Sequence, residues 1–254
     1  MVHLGLDVGG SSIKGAPVDV ASGELVEPSA ARVTPQPSTP AAVAEAIREL
    51  ASRFPVQGNV GIAFPSVIQN GMTRTAANID PSWIDADGER IISAALGRPV
   101  VLLNDADAAG LAEMQLGAGR GRTGTVIMLT FGTGIGSALF VDGRLLPNTE
   151  LGHLELGGRE VEHFASGRVR TDDNLDWGQW AERVNAVFAK FHSLFWPDLF
   201  IIGGGVTGSY EQFGHLLRSR AEIVPAHFLA HAGIVGAALT AAIPLPHALP
   251  LQAS

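Results

Sequence analysis

The chain opens with three short strand-like runs, residues 3–7, 15–19 and 24–27, the last entered through a Ser22-Gly23 turn, and together they predict a three-stranded meander. A Pro-rich connection over 34–40 leads into residues 40–54, where Val43, Ala46, Ile47 and Leu50 recur at helical spacing behind Pro40. Residues 59–63 read as a strand, and Asn70-Gly71 between apolar flanks marks a hairpin over 67–73. A short helix is expected over 90–96. The continuous apolar run 99–103 reads as a strand buried on both faces, and it ends at Asn104-Asp105 before a helix over 106–116.

At Thr125 the pattern restarts. A strand over 125–130, a glycine-rich turn, a strand over 137–141 and another over 144–146 across Asp142-Gly143 repeat the opening meander. Such a duplication predicts two related α/β lobes facing each other across a cleft, with the boundary near residue 105. Residues 1–104 plus 234–254 form the N-terminal lobe in this division, and 105–233 the C-terminal one. A helix over 177–196 carries Trp180, Val184, Val187, Phe188, Phe191 and Phe195 on one side, most simply as core. A strand over 199–202 then ends at Gly203-Gly204-Gly205, and a final helix over 232–242 is expected to pack back on the first lobe.

Composition narrows the class. With 254 residues, 46% hydrophobic and 17% charged, the chain has the makings of a globular α/β enzyme. The absence of cysteine removes disulfides, Cys-ligated zinc, iron–sulfur clusters and thiol catalysis. A net charge of −8, shared by both halves, argues against a nucleic-acid module. The stretch 223–254 lacks charged side chains, but Pro225, Pro244, Pro246 and Pro250 divide it. Its apolar run, 232–245, is shorter than the roughly 18–20 residues a bilayer span needs. With no secretion signal visible at the N-terminus, a cytoplasmic protein without membrane contact is expected.

Four motifs carry chemistry. The first is Asp7-Val8-Gly9-Gly10-Ser11-Ser12-Ile13-Lys14, which follows a strand and leads into the next. Its glycines let backbone approach a phosphate, Ser11, Ser12 and Lys14 can donate to oxygens, and Asp7 can hold hydrated Mg²⁺ through water. It is neither a Walker A loop nor a Rossmann fingerprint, and a plain hairpin turn is the bland alternative. Its counterpart in the second half, Thr130-Phe131-Gly132-Thr133-Gly134, gains weight from the duplication. Gly203-Gly204-Gly205 is a third turn able to meet a phosphate or nucleotide.

Asn104-Asp105-Ala106-Asp107 sits at the end of a buried strand, where ligands of open α/β sheets gather. Asp105 there suits a general base taking a proton from a hydroxyl that attacks phosphorus. Helix capping by Asn104 or Asp105 is compatible with that role. Lastly, Glu150, His153 and Glu155 lie on a loop and suit vicinal sugar hydroxyls, a surface loop being the alternative. The pairs Glu150/His153 and Glu160/His163 have di-iron spacing, but Gly152, Gly157 and Gly158 rule out the long bundle helices such sites require.

These residues together resemble the ROK sugar kinases, within the actin-like, hexokinase-like superfamily, and among them the branch that phosphorylates glucose from polyphosphate. The likeness runs from Gly5 to about Ala242 through the Asp7 loop, residues 73–78 with Trp83-Ile84-Asp85, 104–121, 132–137, 147–156, 201–206 and 232–238. It implies two lobes of ribonuclease-H-like topology and transfer to the 6-hydroxyl of glucose, with Mg²⁺ near Asp7. Asp105 is then the base. Asn78, Asn104, Glu150, His153 and Glu155 hold glucose, and Gly9, Gly10, Lys14, Thr133 and Gly134 hold phosphates. The Cys-rich zinc loop of many ROK kinases is missing, so no structural zinc is expected, and its loss makes Glu155 the least certain match. Ser11 stands where many members have Thr. Polyphosphate is the expected donor, with ATP open as a second. An ATP-only glucokinase or glucomannokinase is the nearest rival, and a sugar-sensing regulator the rival of another class. The family suggests a homodimer.

A protein of this charge needs a local basic strip to accept a long polyanion, and Arg74, Arg120, Arg122, Arg168 and Arg170 are the candidates beside Lys14. Neutralising Arg120 and Arg122 together is expected to weaken the apparent affinity for long-chain polyphosphate and its dependence on salt; unchanged titrations at two ionic strengths would remove both from the strip.

Overall fold

The structure, a computed structural model, describes residues 1–242. The part of the proposed N-terminal lobe at 243–254, with Pro244, Pro246 and Pro250, lies outside the described residues.

Two five-stranded sheets organise the chain. In the first, β1 (Val2–Val8) pairs antiparallel with β2 (Ser12–Asp19), which pairs antiparallel with β3 (Ala30–Val33). The expected third strand at 24–27 is displaced: Leu25 makes only an isolated bridge to Val18. Pro17 explains the shift. Its carbonyl accepts from Val26, so its outward edge faces this segment, yet proline has no N–H to return the bond, and pairing resumes only at Ala30 opposite Gly15. Helix α1 (Pro40–Ala51) begins on a Thr39 cap and buries Val43, Ile47 and Leu50. Strand β4 (Val60–Phe64) then pairs parallel with β1.

The Asn70-Gly71 hairpin forms as expected between β5 (Ile68–Gln69) and β6 (Met72–Thr73), with both turn residues at positive φ. A third short strand, β7 (Ala86–Asp87), joins this small sheet before α2 (Gly88–Leu96). Strand β8 (Val100–Asn104) runs parallel to β4 and passes directly into α3 (Asp105–Leu116).

The second sheet repeats the first. Strands β9 (Thr125–Phe131), β10 (Ile135–Val141) and β11 (Arg144–Leu146) form the antiparallel meander. Next come the ribbon of β12 (Glu155–Leu156) and β13 (Arg159–Glu160), and helices α4 (Val161–Ala165), α5 (Gly167–Asp172) and α6 (Trp177–Phe195). Strand β14 (Leu199–Gly203) pairs parallel with β9; beyond α7 (Tyr210–Phe213), β15 (Glu222–Pro225) pairs parallel with β14. Both sheets therefore follow the order third, second, first, fourth, fifth strand. The aromatics of α6 are core, with Trp180, Phe188 and Phe191 fully buried.

Helix α8 (Ala232–Ala241) returns to the first sheet and packs on β1, β4 and α3. The approach is close because small residues face it. A side chain at Gly5 would strike the Ile234 carbonyl, one at Gly61 the Ala237 carbonyl, and one at Gly236 the Ala108 carbonyl. Ala63, Ala108 and Ala237 fill what remains. No helix among the described residues is long and apolar enough to cross a membrane. Gly236→Ala should cost roughly 1–3 kcal/mol, the usual penalty of overpacking, read as a lower denaturation midpoint; an unchanged midpoint would contradict this contact.

Candidate active site

Three strand ends converge on one cleft. After β1, Gly9 N–H donates to the Ser12 carbonyl at 2.9 Å, closing the turn that carries Gly10 and Ser11. Thr34 Oγ1 donates to Gly9 O at 2.6 Å and Gln36 Nε2 to Gly10 O at 3.3 Å, so the turn is braced from outside. After β9, Gly132 N–H bonds to Gly134 O at 3.0 Å, placing Thr133 at the exposed tip. After β14, Gly204 takes φ 84° against the Phe131 backbone, a place closed to any side chain. The segment beyond it is a 3₁₀ turn.

A cavity of about 520 Å³ opens where these ends meet α3 and α8, and Asp7, Lys14, Asp105, Thr130, Gly204 and Gly205 line it. Six residues from three strands, one glycine turn and the start of α3 thus come together. Gly9, Gly10, Ser11, Gly132, Thr133 and Gly134 stand in the adjoining turns, and Ser12 at the start of β2, rather than in the cavity wall.

Asp105 is the first residue of α3. Asn104 caps that helix, its Oδ1 accepting from Ala106 and Asp107 N–H at 2.9 and 3.1 Å, while its Nδ2 donates to Ser66 O at 3.2 Å. The capping role of Asn104 is real, and it leaves one Nδ2 hydrogen free for a ligand. Burial pushes the Asp105 carboxyl up to about 7, helped by the negative charges of Asp7 and Glu150 and opposed by the Ala106 N–H. Asp7 is raised by burial too, with Lys14 opposing. Burial also carries Asp107 to about 7, against a hydrogen bond from Asn148 N–H and reinforced by Glu150. Glu150 itself is raised by partial burial, His153 opposing and Glu162 adding. A carboxylate whose proton affinity sits near neutrality is suited to take a proton and release it again.

On the loop side, His153 Nε2 lies 3.7 Å from Glu150, and its Nδ1 lies 3.4 Å from Glu160 and 3.8 Å from Glu162. The structure brings Glu150 and His153 together but leaves Glu155 exposed on β12, paired across the ribbon with Glu160. Glu162, which sequence reasoning missed, sits in this group and also accepts from Ile135 N–H at 3.4 Å. No spacing signal pointed to it, because the Gly157-Gly158 turn reverses the chain between it and Glu150. Atoms of His153, Glu160 and Glu162 lie within 4.8 Å of one another, a grouping with metal-ligand chemistry. Asn78 is exposed beside the first turn, its carbonyl against Gly10.

The basic candidates scatter. Arg168 N–H bonds to Gly132 O at 2.9 Å, which sets it next to the second turn. Arg74 pairs with Asp85 at 2.7 Å, Arg122 with Glu222 at 2.7 Å on the β15 edge, and the Arg170 guanidinium stacks 3.6 Å over Trp177. Arg120 is exposed in the turn after α3. Lys14 is the cation that lines the cavity among the described residues.

The chain belongs to the ROK family, whose model matches residues 3–169. It is 46% identical to the polyphosphate glucokinase of Mycobacterium tuberculosis (strain CDC 1551 / Oshkosh), over 96% of this chain and 92% of that protein. Among solved structures it superposes on the inorganic polyphosphate/ATP-glucomannokinase of Arthrobacter sp. strain KM with a TM-score of 0.91 and 44% identity, covering 95% and 98% of the two chains. The ROK family glucokinase of Streptomyces griseus, in complex with glucose and AMPPNP, matches with a TM-score of 0.79 and 25% identity over 94% and 98%. The duplicated sheets around a cleft are thus the hexokinase-like, actin-like fold of ROK sugar kinases.

The Asp105 charge is a stability cost of the site. Its carboxyl binds a proton more tightly folded than unfolded, so the free protein loses stability as pH rises from about 4 through about 7, and the loss is complete above that. Asp105→Asn removes it and should raise Tm at pH 8 by roughly 2–4 °C, with the gain vanishing toward pH 4; a lower Tm at pH 8 would contradict the burial argument.

Proposed function

We propose that this chain transfers the end phosphoryl group of inorganic polyphosphate to the 6-hydroxyl of glucose, with ATP as a second donor. The observation that carries the reading is Asp105: a carboxyl of near-neutral proton affinity at a strand end, lining the cavity with Lys14 on one side and electrostatically coupled to Glu150 on the other. The likeness to polyphosphate-using relatives supports it.

Glucose occupies the side formed by Glu150, His153, Asn104 and Asn78, with Glu162 beside His153 and Glu155 exposed on the adjoining ribbon. These acceptors and donors orient the hydroxyls so that the 6-hydroxyl faces Asp105. As its oxygen bonds to phosphorus, its proton passes to an Asp105 carboxylate oxygen, and the bond from phosphorus to the remaining phosphate chain breaks with the electron pair leaving on that chain. Lys14, Thr130 and the N–H groups of the three turns hold phosphate oxygens. The Asp7 carboxylate, balanced only by Lys14, has oxygens suited to the waters of a hydrated Mg²⁺. When bound there, Mg²⁺ offsets charge on the phosphoryl oxygens. Residues 1–104 with the returning helix from 234 onward, and 105–233, act as the two lobes, which close on glucose and exclude water from the donor. A cytoplasmic homodimer follows from the same family reading.

Asp105→Ala should abolish glucose 6-phosphate formation while calorimetric glucose binding stays within about tenfold, because the base acts mainly in the transition state. Retained turnover would refute the assignment.

A further inference from the structure

The loop that carries Glu150 and His153 is tied to two different bodies. Its root on the second sheet is Ser137 of β10: Ser137 Oγ donates to Thr149 O at 2.6 Å and accepts from Leu151 N–H at 3.0 Å. Its tie to the other body is Asn148. The Asn148 side chain makes a two-way bond with one residue of the small hairpin, Oδ1 accepting from Ile68 N–H at 2.8 Å and Nδ2 donating to Ile68 O at 2.9 Å. Its backbone N–H donates at 2.7 Å to Oδ2 of Asp107, the third residue of α3. Two residues C-terminal to Asn148 is Glu150; two residues N-terminal to Asp107 is Asp105.

Asn148 holds φ 59°, a left-handed conformation that asparagine tolerates and most residues do not. Asp107 is 2% exposed, and its second oxygen, Oδ1, has no partner, so the site tolerates an unsatisfied buried carboxyl to keep this link. The hairpin arm is fixed to the same turn of α3 a second time, by Asn104 Nδ2 on Ser66 O. Arm, helix start and sugar loop therefore form one hydrogen-bonded ring, and Asn148 is the member that joins all three.

We propose that Asn148 is a positioning residue for phosphoryl transfer: by clasping the hairpin arm and the first turn of α3 to the sugar loop, it sets the placement of Glu150 and His153 relative to the base Asp105. The inference rests on the reading of Asp105 as base and of the Glu150–His153 loop as the sugar side. It concerns geometry at a distance from the reacting atoms, where an error of about 1 Å can cost two orders of magnitude in rate.

Asn148→Gly tests it, because glycine accepts the same φ and removes only the side-chain clasp. The expected result is a folded protein whose glucose KM rises about tenfold and whose kcat falls by a similar factor, with the KM for polyphosphate within about twofold of the parent. Asp107→Ala opens the ring from the helix side and should give the same glucose-specific pattern. A purely structural role would lower Tm and leave both constants per folded site unchanged. Folded variants with glucose KM and kcat within about twofold of the parent, or with a change confined to the donor, would overturn the proposal. Should both variants fail to fold, hydrogen exchange on the unaltered protein decides: saturating glucose must slow the Ile68 and Asn148 amides together, and no change in either overturns the clasp. Asp105→Ala, assayed alongside, separates the two failures, since an active Asp105→Ala refutes the base itself and an inactive one beside an unaffected Asn148→Gly refutes only the clasp.

Discussion

Everything at the cleft depends on how closely α8 can lie between the first sheet and α3. Three glycines, Gly5, Gly61 and Gly236, put backbone against backbone where any side chain would collide with a carbonyl. With Ala63, Ala108 and Ala237 packed at the centre and Ala112 of α3 against Ile234, Val235 and Ala238 of α8 beside them, the two helices and two central strands form a close-packed seam. The seam joins the two duplicated sheets, and the start of α8 at Gly233 lies against the Asp7 carboxyl. Asp7, at the end of β1, and Asp105, directly after β8, stand at strand ends of the same first sheet, and the repulsion between them is felt at Asp105.

On the proposed function, that repulsion has a chemical use. Burial alone raises a carboxyl, but a second negative group on each side, Asp7 toward the glycine turns and Glu150 toward the 148–153 loop, makes Asp105 sensitive to what binds there. A cation or Lys14 drawn toward Asp7 lowers its proton affinity, while exclusion of water raises it. The same environment makes the charged Asp105 electrostatically costly, in line with the cost in stability that functional sites carry.

Much of this was legible in the chain. The duplication showed because the first strand of each meander runs into a glycine turn, and Asp105 showed because an apolar run stops at Asn104-Asp105. Other features depend on contacts across the fold. Pro17 moved the third strand to Ala30 by withholding one N–H, an effect visible only once the pairing edge is known. Strand β15 is four residues ending in proline, and α4 and α5 are five and six residues long, too short for periodicity to register. Helix α3 carries no amphipathic stripe because it is enclosed by α8 and β10 on different sides. Glu162 and Asn148 acquire meaning only when the 157–158 turn and the hairpin arm are placed in space. Of the arginines read as a strip, Arg74, Arg122 and Arg170 are engaged with Asp85, Glu222 and Trp177, while Arg168 stands next to the second turn and Arg120 is exposed.

The central claim is that a buried Asp105 takes the glucose proton during transfer from an inorganic chain. Its most direct test is glucose 6-phosphate formation by the purified protein from glucose, Mg²⁺ and long-chain polyphosphate, free of nucleotide, followed from pH 5 to 9. The account predicts turnover without nucleotide, with kcat/KM falling on the acid side through an apparent pKa of about 7. No product in the absence of nucleotide, or a rate indifferent to pH across that range, would contradict it.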